Sequence, residues 1–78
     1  MILSCGEALI DMLPRTSTQG EAVFAPYPGG AVFTTAIALG RLGAPSAFFS
    51  GISTDMLGEI LAETLTASQV DTRYCARP

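Results

Sequence analysis

The sequence contains no histidine and no lysine, and its only basic residues are Arg15, Arg41, Arg73 and Arg77. Without histidine, any mechanism that needs an imidazole acid, base or metal ligand is excluded. Four scattered arginines give no clustered basic face of the kind that neutralises nucleic-acid phosphates, so no nucleic-acid partner is expected. Cysteine is scarce as well. Cys5 and Cys75 stand alone, which excludes metal sites of the Cys/His kind. In so apolar a chain they are expected as buried free thiols of a cytoplasmic protein, although sequence leaves a disulfide between them open. No apolar run approaches the roughly 18 residues of a membrane span. The apolar start, Met1 to Cys5, is short, has no positive segment before it and is soon followed by Glu7 and Asp11, so it reads as neither signal peptide nor membrane anchor.

What is present is oily for its size. Of 78 residues, 49% are hydrophobic and 14% charged, with a net charge of −3. A complete domain this small exposes much surface and ordinarily carries more charge to cover it. The composition therefore reads as part of a larger domain, with faces meant to be covered, rather than as a self-sufficient core.

The pattern alternates between strands and helices. Met1 to Cys5 reads as a short buried strand, Gly6-Glu7 as a break, and Ala8 to Leu13 as an extended segment ended by Pro14. Arg15 to Pro28 is a surface loop or a hairpin centred on Val23-Phe24. Pro28-Gly29-Gly30 is the strongest turn signal. Ala31 to Leu42 is predicted as a helix apolar on almost every face and hence buried on most sides. Gly43 suits its left-handed end, and Pro45 prevents continuation. Ser46 to Gly51 is a strand. Ser53 or Thr54 is expected to cap a second helix, with Asp55 in its first turn and Leu57, Ile60, Leu61 and Leu65 as its apolar stripe. Val70 to Cys75 is expected as one further strand. Such alternation predicts an α/β fold with a parallel sheet, which needs cover on both faces that two helices scarcely supply.

Two features could touch a ligand. At Gly29-Gly30 the backbone can approach a polar molecule closely, and the N–H groups of the following helix start are free to bond it. The same pair also suits a tight turn beside a closely packed helix. Neither Gly-x-Gly-x-x-Gly nor a P-loop occurs, and no Gly-x-Ser-x-Gly marks a nucleophile. Asp11 follows a strand, and ligands of parallel sheets lie beyond strand carboxyl ends. It reads equally as a sugar-hydroxyl acceptor or a solvated turn residue. For Asp55, helix capping is explanation enough.

Taken together, four stretches resemble the start of a ribokinase-type, or PfkB, carbohydrate kinase, closest to its fructokinase-like members. They are Gly6-Glu7-Ala8-Leu9-Ile10-Asp11, Gly29-Gly30-Ala31, Ala38-Leu39-Gly40-Arg41-Leu42-Gly43 and Ser53-Thr54-Asp55-Met56-Leu57-Gly58, and the likeness runs over essentially all of residues 1–78. The resemblance implies a Rossmann-related, ribokinase-like α/β fold with a small β lid at about residues 13–30. It implies that Asp11 binds sugar hydroxyls, and that Gly29 and Gly30 lie beside the sugar as a lid hinge. It also implies transfer of the ATP γ-phosphoryl to fructose or a related sugar with Mg²⁺, mainly by positioning and charge stabilisation, and a homodimer through the lid.

Three departures accompany the resemblance. Thr34 stands where the family has asparagine in the sugar pocket. Gln69 stands at a turn where the family often has glycine. The family's catalytic aspartate, anion hole and nucleotide site lie in its carboxyl-terminal half, so this chain is expected as an amino-terminal piece, inactive alone and without the ATP site. The alternatives are a non-catalytic interaction module and a non-functional truncated product.

Overall fold

A computed structural model describes residues 1–77. In chain order it places β1 at Ile2–Cys5, β2 at Leu9–Thr16, β3 at Ala22–Gly29, α1 at Ala31–Arg41, β4 at Ser46–Gly51, α2 at Met56–Ala67, β5 at Val70–Asp71 and β6 at Cys75–Ala76. β4 is central. It pairs in parallel with β1 on one side, and with β5 and then β6 on the other. The predicted α/β class and parallel sheet are both present.

The expected strand at Val70 to Cys75 is split in two. Asp71 Oδ1 accepts the Arg73 N–H at 2.9 Å, and the Cys75 N–H donates to the Thr72 carbonyl at 3.0 Å. These bonds turn the chain between β5 and β6, because an aspartate can bond the backbone two residues on and so close a turn.

The core lies between the sheet and the two helices. Phe33 and Ala36 of α1, Phe48 of β4, Ile52, Leu61 and Leu65 of α2, and Val70 of β5 form it. The rings of Phe33 and Phe48 meet edge to face, 5.6 Å apart at 84°, the arrangement that aligns a ring's positive edge with its neighbour's negative face.

α1 is buried on one side only. Phe33, Ala36 and Gly40 are enclosed, while Thr34, Thr35 and Ala38 are exposed. The expectation of burial on most sides fails because apolar residues all round a helix show what it can bury, not what is present to bury it. The same applies to β1: Ile2 and Leu3 are exposed, since the strand has one neighbour rather than two. Cys5 is likewise exposed instead of buried, and Cys75 is half-buried; both are free thiols.

β2 and β3 form a separate antiparallel hairpin, in register from Leu9–Gly29 to Thr16–Ala22. It starts at Leu9, and Pro14, expected to end the extended segment, lies within β2 opposite Phe24. A proline is tolerated there because in a two-stranded sheet every strand is an edge. The reversal is not at Val23-Phe24. It spans Ser17 to Glu21, where the Ser17 N–H donates to the Glu21 carbonyl at 2.8 Å and Gly20 adopts φ 80°.

Helix ends follow the sequence with one change. Gly43 has φ 85°, as expected, and ends α1. Asp55, not Ser53 or Thr54, caps α2: its Oδ1 accepts the Gly58 N–H at 2.9 Å and the Ser53 hydroxyl at 2.7 Å. No helix among the described residues is long and apolar enough to cross a membrane.

Candidate functional site

The site is built where the hairpin meets α1. Alternation along β2 sends Ile10 towards the core, where it is partly buried, and therefore turns Leu9, Asp11 and Leu13 to the opposite face. Asp11 is paired with Tyr27 and Leu9 with Gly29, so Gly29 is the diagonal neighbour of Asp11. The carboxylate uses the space that a side chain at Gly29 would fill: Oδ2 lies 2.6 Å from the ideal position of a β-carbon there. Asp11 is exposed and remains available as an acceptor.

Gly30 turns the chain from β3 into α1. It is the N-cap residue with φ 105°, and no side chain caps the helix. A β-carbon at Gly30 would lie 3.0 Å from the Glu7 carbonyl oxygen, so both the backbone angle and the close approach require glycine. The first turn of α1 holds no acidic residue. Within the helix the first available N–H bond is from Thr34 to the Gly30 carbonyl at 2.9 Å; the earlier N–H groups have no intrahelical acceptor. The Asp11 carboxylate on β2 thus lies over the residue that precedes the N-cap of α1.

The structure places Asp11 over Gly29, next in the chain to Gly30. Thr34 lies one turn into α1, exposed, and lines a depression of about 260 Å³ with Pro28, Phe33, Ile37, Arg41 and Thr64. Asp11 is not among its lining residues. Two side chains on the Asp11 face were missed by sequence reading. Tyr27 lies directly across from Asp11, and the Arg15 guanidinium sits 5.3 Å from the Tyr27 ring centroid, a cation–π distance. Period-two counting back from Gly29 reaches Tyr27, but only once the hairpin register is known.

Hydrogen bonds from the Ser53 hydroxyl and the Gly58 N–H hold the Asp55 carboxyl below its ordinary pKa. The Arg73 N–H does the same for Asp71. Burial pushes the Cys75 thiol up. No group of three His, Cys, Asp or Glu residues that could hold a metal ion occurs among the described residues.

Residues 1–78 match the family described as pfkB family carbohydrate kinase. The chain is 72% identical over 76 residues to a fructokinase of Rhizobium leguminosarum bv. trifolii, an alignment covering 97% of this chain and 23% of that protein. It is 39% identical over 75 residues to a putative sugar kinase, PH1459, of Pyrococcus horikoshii, covering 94% of this chain and 24% of that protein. The crystal structure of fructokinase from Xylella fastidiosa superposes with a TM-score of 0.89 at 34% identity, over 99% of this chain and 25% of that one. The structure of that enzyme with bound ATP gives 0.90. The chain spans about a quarter of the length of these relatives. By its sequence over its whole length and by its fold, the chain belongs to the pfkB family of carbohydrate kinases.

Proposed function

We propose that this chain supplies the sugar-binding side of a fructokinase-type phosphotransferase site. Asp11 accepts hydrogen bonds from sugar hydroxyls, and the Gly29-Gly30 backbone lies against the sugar and hinges the β2–β3 hairpin. The observation that carries this reading is the Asp11 carboxylate held in the space over Gly29, in a chain 72% identical to a fructokinase. Thr34, in the neighbouring depression, contacts the sugar less fully than an asparagine would. Fructose or a related sugar is the substrate.

ATP and Mg²⁺ belong to the complete kinase and bind outside this chain's residues. When bound, they supply the phosphoryl group and neutralise its charge. This chain's residues orient the accepting hydroxyl, and the hairpin excludes water from it. Alignment of the acceptor is a large part of what such catalysis needs. The hairpin face also serves as a homodimer contact in the complete enzyme. A cytoplasmic setting suits two free cysteines.

The test is a chimera in which these 78 residues replace the matched 76 of the Rhizobium fructokinase. Fructose phosphorylation is followed by a coupled assay. The chimera is expected to turn over, and Asp11→Ala within it to lower kcat/KM by about tenfold or more, since bonds to a charged acceptor contribute about 1.5–3 kcal/mol. Full activity in the Asp11→Ala chimera removes Asp11 from the site.

A further inference from the structure

Asp11 is the only acidic residue on either strand of the hairpin. In register it pairs with Tyr27, while Leu9 pairs with Gly29 and Leu13 with Ala25. Partners directly across an antiparallel ladder share a face, with β-carbons about 4.5–5.5 Å apart. Alternation sends Phe24, opposite Pro14, to the other face. Tyr27 is therefore the only aromatic residue that the two strands place on the Asp11 face. It is 42% exposed and takes no part in the core cluster. Core packing gives no reason for an aromatic ring beside the carboxylate.

The ring is held where it stands. Arg15 lies two pairs further along β2, on the same face. Its guanidinium sits 5.3 Å from the Tyr27 ring centroid, and its Nη1 donates to the Pro14 carbonyl at 2.7 Å. A tyrosine has few torsions to lose, and a ring fixed in advance loses less freedom on binding. A sugar presents hydroxyls that need acceptors and C–H groups that carry partial positive charge. A carboxylate answers the first, and the negative face of an aromatic ring answers the second. Leu9 and Leu13, half-exposed on the same face, extend an apolar frame around one polar group. Small-molecule sites are generally made this way, with apolar walls and a few placed polar atoms.

We propose that Tyr27 is a specificity-determining contact of the sugar side: its ring covers the C–H face of the sugar whose hydroxyls bond Asp11. The contact favours a sugar that turns C–H groups to the ring over a polyol that turns hydroxyls there. Asp11's role as the hydroxyl acceptor is presupposed, because without it no sugar is brought to the ring.

The test uses the fructokinase chimera, with Asp11→Ala measured alongside. Tyr27→Ala is expected to raise KM for fructose about three- to tenfold, the range of one aromatic contact, and to change kcat less. Tyr27→Leu, which keeps bulk where the shorter side chain unsettles the hairpin, should do the same. Tyr27→Phe keeps the ring and should restore KM to within about twofold of the parent. Phe24→Leu, an exposed aromatic position on the opposite face, should leave KM unchanged. Saturation-transfer NMR, irradiating aromatic protons, should carry signal to the fructose C–H protons and lose about half of it or more in Tyr27→Leu, since such contacts act only at close range. An unchanged KM in Tyr27→Ala, with kcat/KM lowered in Asp11→Ala, overturns the Tyr27 contact and leaves Asp11 in place. Unchanged kinetics in both variants removes both. A loss in Tyr27→Phe equal to that in Tyr27→Ala, an equal rise in KM in Phe24→Leu, or undiminished transfer in Tyr27→Leu also overturns the proposal. So does light scattering that shows Tyr27→Ala splitting a dimer that Asp11→Ala keeps, because Tyr27 then serves contact between copies.

Discussion

The Asp11 carboxylate occupies the place of the missing side chain of Gly29, with Oδ2 2.6 Å from where that β-carbon would be. Only a side-chain oxygen, free to rotate away, stands in the path of an alanine. Gly29→Ala is therefore expected to change stability little while displacing Asp11. In the fructokinase chimera it should lower kcat/KM for fructose by about tenfold or more, through the bonds to the charged acceptor. A melting curve checks the first half and steady-state kinetics the second. Unchanged kinetics would separate the carboxylate's position from sugar binding.

Gly40 and Gly58 are glycines for a different reason. A β-carbon on Gly40 would lie 2.2 Å from the Ser68 carbonyl oxygen, and one on Gly58 would lie 1.8 Å from that of Ser53. Both obstacles are backbone, so the helices themselves have to move. Gly40→Ala and Gly58→Ala are each expected to destabilise by about 1–3 kcal/mol or more, the usual cost of overpacking. Gly51→Ala meets nothing within 4 Å and should stay within about 0.5 kcal/mol. Urea denaturation of the three variants measures the contrast.

Gln69 has φ 63°, the left-handed region, just after α2. An L-residue is strained there by about 1–2 kcal/mol relative to glycine, offset in part by the freedom glycine has when unfolded. Gln69→Gly is expected to raise stability by about 0.5–1 kcal/mol. The N–H bond from residue 69 to the Thr66 carbonyl, 3.0 Å long, is a backbone bond and survives the change. A melting temperature that falls would show that the glutamine side chain contributes more than its strain costs.

Asp55 sets a pH dependence. The Ser53 hydroxyl and the Gly58 N–H stabilise its charged form, so its pKa in the folded chain is lowered. A carboxyl lowered on folding contributes stability above its unfolded value of about 3.9, and that contribution fades as pH falls through the folded value. Stability should therefore decline from about pH 4 downwards. Asp55→Asn keeps an oxygen for the Gly58 N–H but cannot titrate, and should flatten part of the slope. Asp71, lowered by the Arg73 N–H, maintains the remainder. Thermal melts across pH 2.5 to 7 measure both; an identical slope in Asp55→Asn would rule out the cap as its source.

Local chemistry made much of this legible in advance. The turn into α1 at Gly30, the Gly43 ending, the two helices and the strand at Ser46 to Gly51 follow from glycine freedom and apolar spacing, which act over a few residues, although Gly29, expected in that turn, ends β3. What misled were quantities set by distant partners. Pro14 ends a central strand but is tolerated on the two-stranded hairpin. Ile2, Leu3 and the outer side of α1 look like core residues, yet their burial depends on covering elements that no local pattern reveals. At the site, Asp11 and Gly29 were separately visible, whereas their contact and Tyr27's place beside them depend on hairpin register. Register is fixed by the Ser17 to Glu21 turn, which the glycine at Gly20 marks only weakly.

Thr34 gives the most direct test of the sugar reading. It is exposed on α1 beside Arg41 and Thr64, in a depression adjoining Pro28, where the family resemblance sets an asparagine. A hydroxyl offers one donor and one acceptor oxygen, while a carboxamide offers two donors and a separate acceptor from a longer reach. One further hydrogen bond contributes about 0.5–1.5 kcal/mol. In the chimera, Thr34→Asn is therefore expected to raise kcat/KM for fructose about two- to twelvefold, converted from that range at 1.4 kcal/mol per decade. The gain should lie mainly in KM, because the added bond forms in the bound ground state and persists in the transition state. Thr34→Ala should leave kcat/KM at or below the parent value. If Thr34→Asn and Thr34→Ala behave alike, the depression at Thr34 is separate from the sugar, and Thr34 leaves the proposed site.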